Sequence, residues 1–528
     1  MLDTTYRMTR ILILSFAALA LLLVSFKGNN SIEADRTSVE RIKREGYDRS
    51  EVMRLLFEMT DLNGPRLTGS KGMKNAEAWA KQTLQSWGLS NVAIEPWGIF
   101  GKGWETKKCY IAMTAPYYQQ LIAVPKAWTP GTPGLVKGNV AVVKVEDEAE
   151  LADHKGKLRG KIVILLTSTP SGNKAGFDPD AKRLTDEQLH NMESDPHLND
   201  DAAPVMTKKD DKKRKSNSEL RKAIIKFLVD EGATAVLSGR RGTMGTLFTS
   251  NGASYKIGAD PVLPELEMGA EHIDRMIRLA DAGKEVTVEI DVQNEFDLTD
   301  STEFNVVAEI PGTDKDLKSE LVMLGAHLDS WHGSTGATDN GAGSAVMMEV
   351  MRILKKLDVK PRRTIRLVLW SGEEQGLLGS RGYVKMHFGD AESKQMLPEN
   401  KMVSAYYNLD NGAGKIRGVH LQQNEAVRPY FEAWLEPFHD LGAKTLTIRN
   451  TGGTDHLAFD AGGRPGFQFI QDPLEYGSRT HHTNMDSYER AIPADLMQAS
   501  IVIASFVYHT AMLDEKLPRK TLSLPTKK

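Results

Sequence analysis

Six side chains in the last two-fifths of the chain have the types and the order to do chemistry together. His327 stands in GAHLDS, Asp339 in ATDNGAG, Glu373 and Glu374 in LVLWSGEEQGLLGS, Asp410 in YYNLDNGAG, and His482 in RTHHTNMD. Carboxylates and imidazoles are zinc ligands, and a carboxylate with two oxygens to share suits two such ions side by side. Paired zinc ions polarise a carbonyl and activate water, which is what amide hydrolysis needs. Glu373 and Glu374 are the sharpest signal. Two adjacent carboxylates after an apolar run are costly unless something positive sits against them. Adjacent residues also leave a strand end in different directions, so one can bind metal while the other faces a water. The remaining members are weak singly: His327, with Asp329 two residues on to hold its second nitrogen, reads as readily as a structural histidine. Asp339, at the opening of a helix, reads as readily as an N-cap. Taken in order, the six specify a two-metal site. Thr483 and the spacing to Asp486 favour His482 over its neighbour His481 as the second imidazole, with Asp486 as its support.

These residues need a scaffold that brings distant segments together. From residue 305 onward the pattern is strand, loop, helix, strand, repeated: strands at 321–326 and 364–370 and around 403–408, helices at 342–357 and 377–386, and a closing helix at 495–513. Such alternation predicts an α/β fold with a doubly wound, mostly parallel sheet flanked by helices. Ligands in these sheets sit beyond the carboxyl ends of the strands, where all six residues fall. Upstream, an amphipathic helical stretch at 35–55 leads to the Gly/Pro turn DLNGPRLTGSKG, a helix at 73–87 that Gly88 stops, and a strand from Val92. Between 116 and 295 the character changes to short β-branched runs bounded by glycines, the marks of an inserted β-rich domain, with a helix at 221–231. Inside it, 171–218 reads as a polar surface excursion that includes a run of mixed charge. The expected layout is therefore a leader at 1–30, the first part of the main domain at 35–115, the insert at 116–295 and the catalytic part at 296–520.

The ordered motifs closely resemble the two-zinc exopeptidases that include bacterial leucyl aminopeptidases, aminopeptidase Y and the glutamate carboxypeptidases. The resemblance covers nearly the whole chain after the leader. DLNGPRLTGSKG is similar to that family's N-terminal segment, the β-rich insert looks like a protease-associated domain, and the layout is most like the plasma glutamate carboxypeptidase-like members. The resemblance implies two Zn²⁺ per chain, bridged by Asp339, with His327 and Asp410 completing one set and Glu374 and His482 the other. It implies Glu373 as general base and a cis peptide bond between Asp339 and Asn340; Asp329, which holds the other nitrogen of His327, is counted with Glu373 among the catalytic residues. Asn340 stands where many members have a second Asp, as in the glutamate carboxypeptidase branch. GGTDHLAF, with Asp455 and His456, would line the substrate side. Arg381, Arg464 and Arg479 are candidates to grip a substrate carboxylate. The expected activity is an exopeptidase of aminopeptidase or dipeptidase type acting on short peptides, because no clustered arginines announce a glutamate-selective carboxypeptidase. A carboxypeptidase of the glutamate carboxypeptidase type is the alternative. A non-catalytic binding protein, as in the transferrin-receptor branch, fits poorly because the ligand set and the base are complete. An aminoacyl cyclase on the same fold is opposed by the insert and by the same five ligands.

Composition agrees with an ordinary globular enzyme. The 528 residues are 40% hydrophobic and 26% charged, with a formal charge of −3. That balance, with no long basic stripe, argues against a nucleic-acid partner. A homodimer is compatible with it. Arg7 and Arg10 precede an unbroken apolar run at 11–26, the pattern of a signal peptide or an N-terminal anchor. The expectation is export to a periplasmic or extracellular location, with membrane attachment only through an uncleaved leader. The single cysteine, Cys109, excludes an intrachain disulfide.

Overall fold

The computed structural model describes residues 32–166, 179–194, 208–239, 242–390, 393 and 395–520. The leader expected at 1–30 lies outside them. Two eight-stranded sheets organise the rest. The sheet of the main domain runs, in spatial order, Ser90–Ile99, Thr302–Ile310, Thr364–Trp370, Leu321–His327, Val403–Asn408, Gly466–Gln471, Ile416–His420 and Thr445–Thr447. Its four central strands, from Thr364–Trp370 to Gly466–Gln471, are parallel. Their outer neighbours pair with them antiparallel. Helices cover both faces, so a strand such as Leu321–His327 is buried at every residue and carries no polar alternation. Gly325 has a specific reason to be glycine: a Cβ there would come within 2.4 Å of the Val368 carbonyl oxygen and 2.9 Å of Trp370 Nε1.

One face of the sheet carries the large core, packed by the helices Arg36–Asp48, Lys71–Ser86, Ala342–Lys356 and Pro493–Met512. Pro493–Met512 is apolar around most of its circumference because it is wedged between other helices and the strands. The opposite face packs Trp370, Tyr383, Tyr406 and Phe459 under the helix Leu378–Phe388. The helical stretch expected at 35–55 is broken near Ser50 into Arg36–Asp48 and Val52–Phe57.

The second sheet is the inserted domain. Its spatial order is Gln119–Gln120, Gly103–Ala115, Thr287–Asp297, Val136–Lys144, Ile162–Leu166, Ala235–Ser238, Glu265–Met268 and Ala123–Pro125. It reaches beyond the boundaries of 116 and 295, because Gly103–Ala115 pairs antiparallel with Thr287–Asp297 from end to end. The helix expected at 221–231 is longer, Lys208–Asp230, and takes in the charged run. Lysine and arginine are good helix formers, and an apolar anchor at Ile224 and Leu228 holds the helix against the sheet. No described helix is long and apolar enough to cross a membrane.

Candidate metal centre

All six chemistry-bearing residues gather at the carboxyl edge of the parallel strands. His327 is the last residue of its strand, Glu373 and Glu374 follow Trp370 by three and four positions, and Asp410 follows Asn408 by two. Asp339 and His482 come from loops. Asp339 lies in the turn Ala337–Gly341 that opens the helix Ala342–Lys356, and its bond to Asn340 is cis, as the resemblance implies.

Asp339 stands between two sets of donors. Its Oδ1 is 3.4 Å from His327 Nε2, which is in turn 3.3 Å from Asp410 Oδ1. Its Oδ2 is 3.2 Å from His482 Nε2, which is 2.8 Å from Glu374 Oε2. Each oxygen of one carboxylate thus faces a different imidazole and a different second carboxylate. His481 is farther from Asp339 Oδ2, at 3.9 Å, and Glu373 is 4.0 Å from His327 Nε2. A cluster of His327, Glu373 and Asp410 is also compact enough to hold an ion. Asp339 Oδ1 lies nearer to His327 Nε2 than Glu373 does, and Asp339, His481 and His482 form a second compact cluster.

The electrostatics are those of a buried cluster crowded with carboxylates. Burial pushes Glu373 and Glu374 well above the usual carboxylate range, and neighbouring carboxylates add to it against the pull of His327. Burial would depress His327, but the charges of Asp410 and Glu373 outweigh it and hold the imidazole well above its ordinary value. Asp339 is held low despite its burial, by the His327 hydrogen bond and the charges of His482 and His327. The nearest fully buried guanidinium, Arg66, is spent on backbone carbonyls of Leu328, Thr335 and Gly336 at 2.6–2.8 Å. Asp339 Oδ2 and Glu374 Oε1 are buried with no hydrogen-bond partner. Asp339 Oδ2 faces the imidazoles of His482 and His481, at 3.2 and 3.9 Å, and a buried carboxylate oxygen among imidazoles is a donor set that a divalent cation of zinc's type fits.

Supporting contacts fix the donors. His327 Nδ1 is 2.9 Å from the Asp329 backbone oxygen and 3.5 Å from its Oδ1. The Asp329 carboxylate mainly accepts the backbone N–H groups of Glu373 and Glu374, at 3.3 and 3.2 Å, and the Thr68 hydroxyl at 3.1 Å. It therefore ties the His327 strand to the glutamate turn. Asp486, expected to support His482, instead accepts the N–H groups of Thr338 and Asp339 at 2.7 and 3.0 Å. Its carboxyl is pushed up to about 7, by burial and then by Asp339.

The three expected substrate-side residues divide. Asp455 is fully buried beside the site, its carboxyl pushed up to about 7 by burial, with His327 pulling the other way. His456 is turned to Gln422 at 2.7 Å and the Thr451 carbonyl at 3.1 Å, and burial pushes its imidazole down to about 4. Arg479 does not wait for a substrate: it is bonded to Asp180, Thr243 and Thr246 of the inserted domain. That corrects the expectation for Arg479. Sequence reasoning also missed Thr68, Arg66 and Tyr476. The Tyr476 phenol is pushed well above its ordinary value by burial and by the charges of Asp339, Asp410 and Glu374.

A mostly parallel α/β sheet with this donor set at its carboxyl edge defines a zinc-dependent metallo-exopeptidase. Residues 305–507 match the model of Peptidase family M28. The chain is 26% identical over 462 residues to Carboxypeptidase Q of Mus musculus, spanning 87% of this chain and 86% of that protein. It is 32% identical over 206 residues to Aminopeptidase YwaD of Bacillus subtilis (strain 168), spanning 38% and 43%. Among solved structures, it matches the Peptidase M28 precursor from Shewanella amazonensis SB2B with a TM-score of 0.64 and 25% identity, over 93% of this chain and 99% of that one. The zinc aminopeptidase BSAP from Bacillus subtilis shares the fold, with a TM-score of 0.55 and 18% identity over 88% and 95%.

Proposed function

We propose that the chain holds two zinc ions, one on His327, Asp410 and Asp339 and one on Glu374, His482 and Asp339, and removes the N-terminal residue from short peptides or splits dipeptides. The division of the two Asp339 oxygens between the two imidazoles carries the two-ion reading. When bound, zinc lowers the pKa of water and polarises the scissile carbonyl. Glu373, outside both ligand sets but next to them, takes a proton from the attacking water and passes it to the leaving amine. Asp329 keeps Glu373 and Glu374 pointing apart through their backbone N–H groups.

An amino-terminal preference is supported by charge. Glu373, Asp410 and the buried Asp455 form an acidic floor suited to a substrate ammonium, while Arg479 and Arg464 are engaged elsewhere, Arg464 with Asn400 and the Ala458 carbonyl. The inserted domain lies against the loop that carries His482 and supports exo- over endopeptidase action by narrowing that side of the cleft. A carboxypeptidase is the second reading, favoured by the likeness to Carboxypeptidase Q along 87% of the chain. The basic residues ahead of 11–26 support export. The assay that separates the readings compares a free dipeptide with its N-acetylated and C-amidated forms. Cleavage of the amide but not of the acetylated peptide is expected; the reverse makes the enzyme a carboxypeptidase.

A further inference from the structure

The loop that carries His482 is gripped from two sides by the inserted domain, although that domain supplies none of the proposed ligands. One arm is the segment around Lys182. Its N–H bonds to the Leu474 carbonyl at 2.9 Å, the Leu184 N–H bonds to Asp472 at 2.9 Å, and Arg183 bridges Asp472 and Asp495 at 2.8 and 2.7 Å. The other arm lies at 243–249. Thr249 donates its N–H to the His482 backbone oxygen at 2.7 Å, and its hydroxyl donates to the same oxygen at 3.1 Å. The Leu247 N–H reaches Asn484 Oδ1 at 2.9 Å, and Asn484 returns its amide to the Gly245 carbonyl at 3.1 Å.

Arg479 joins the two arms. Its Nε donates to Asp180 at 2.8 Å and its Nη1 to the Thr246 hydroxyl at 2.7 Å and the Thr243 carbonyl at 3.0 Å. A planar fork with several donors can satisfy both arms at once, which a lysine ammonium cannot match in geometry. His482 also needs holding. It sits in the left-handed backbone region at φ 59°, which a non-glycine residue adopts only when its surroundings impose it. His327 is held from within the peptidase domain instead: it ends a central strand, its backbone oxygen accepts the Ser344 hydroxyl at 2.7 Å, and its Nδ1 meets the Asp329 backbone oxygen at 2.9 Å.

We infer that the inserted domain, through Arg479 and Thr249, positions His482 and so sets the affinity of the Glu374/His482 zinc position separately from the His327/Asp410 position. Arg479 and Thr249 are positioning residues: neither touches a ligand atom, and both act on the loop from which His482 projects. This inference rests on the two-zinc reading above. It carries a consequence for that reading: removing the insert would loosen one metal position as well as open the cleft.

The test is calorimetric titration of zinc into full-length protein stripped with a chelator, together with hydrogen exchange of residues 472–486 in the stripped state. Wild type should take up two equivalents; fewer overturns the two-zinc reading itself, independently of the clasp. In Arg479→Ala one equivalent should bind within about twofold of wild type, while the other weakens about 10–100-fold, the usual cost of losing an outer-shell support. Exchange in 472–486 should quicken. Arg479→Lys should fall between the two. If Arg479→Ala does not fold, Asp180→Asn combined with Thr246→Val removes the Asp180 charge and the Thr246 hydroxyl from the insert side, leaving the Thr243 carbonyl, and should weaken the same equivalent. Wild type with two equivalents and a variant with two unaltered affinities overturns the inference. So does equal weakening of both equivalents, which marks general destabilisation and not a positioned loop.

Discussion

The two halves of the proposed metal centre are built from different materials. His327 and Asp410 stand at or just beyond the ends of adjacent central strands, and the His327 side chain is 1% exposed. His482 stands on a loop in a left-handed conformation, and its side chain is 34% exposed. The first half inherits its geometry from core packing, because moving His327 would mean shifting a strand hydrogen-bonded on both sides. The second half borrows its geometry from another domain, through a few hydrogen bonds near the surface. Glu374 and Asp339 join them: Glu374 belongs to the rigid edge but faces His482, and Asp339 gives one oxygen to each side.

The largest effect expected is at the residue that belongs to neither half. Glu373→Gln should lower kcat by about 10²–10⁴-fold, the usual contribution of a general base, with zinc content unchanged. Loss of a zinc equivalent in that variant would make Glu373 a ligand and dissolve the distinction between base and halves. Glu374→Gln should do the reverse, releasing zinc from the His482 side while the His327 side stays loaded, as read by elemental analysis after gel filtration.

Asp486→Asn is expected to act on both halves together. Asp486 holds the backbone N–H groups of Thr338 and Asp339, and an amide keeps one acceptor oxygen but loses the other. Both zinc affinities should fall, by about tenfold or somewhat more. If only the His482 side weakens, Asp339 is not shared in the way its two contacts indicate.

The smallest effect concerns stability beneath the strand-built half. Glu303 is buried in the strand Thr302–Ile310, and burial pushes its carboxyl up to about 8. In the unfolded chain it ionises near the ordinary glutamate value. The sign follows from linkage: with the folded value raised, the neutral acid's stabilisation is complete below the unfolded value and is lost as pH rises through about 8. Glu303→Gln should therefore raise Tm by a few degrees at pH 8 and leave it nearly unchanged at pH 4, measured by differential scanning fluorimetry. An equal shift at both pH values would show that packing, not ionisation, governs the site.

Much of the strand-built half was legible in the sequence, and the reason is local. His327, Glu373, Glu374 and Asp410 each follow an apolar run closely, so the run announces the strand and the residue its end. The supports were less legible. Arg479 looked like a free guanidinium because its partners Thr246 and Thr243 are 233 and 236 residues away. Asp486 was matched to the nearby His482, whereas it bonds across 148 residues to Thr338. Arg66 spends its donors on backbone carbonyls, which carry no mark in the sequence. The inserted domain's edge at Gly103 was missed because Gly103–Ala115 alternates like any strand; only its pairing with Thr287–Asp297 assigns it to the second sheet.

The central claim is that one bridging carboxylate serves two zinc ions with Glu373 left free. Anomalous diffraction at the zinc edge from crystals of the zinc-loaded full-length protein tests it most directly. Two peaks are predicted, one bounded by Asp339 Oδ1, His327 and Asp410 and the other by Asp339 Oδ2, His482 and Glu374, with the Glu373 carboxylate outside bonding distance of both. A single peak at full zinc loading, or a peak ligated by Glu373, would contradict the account.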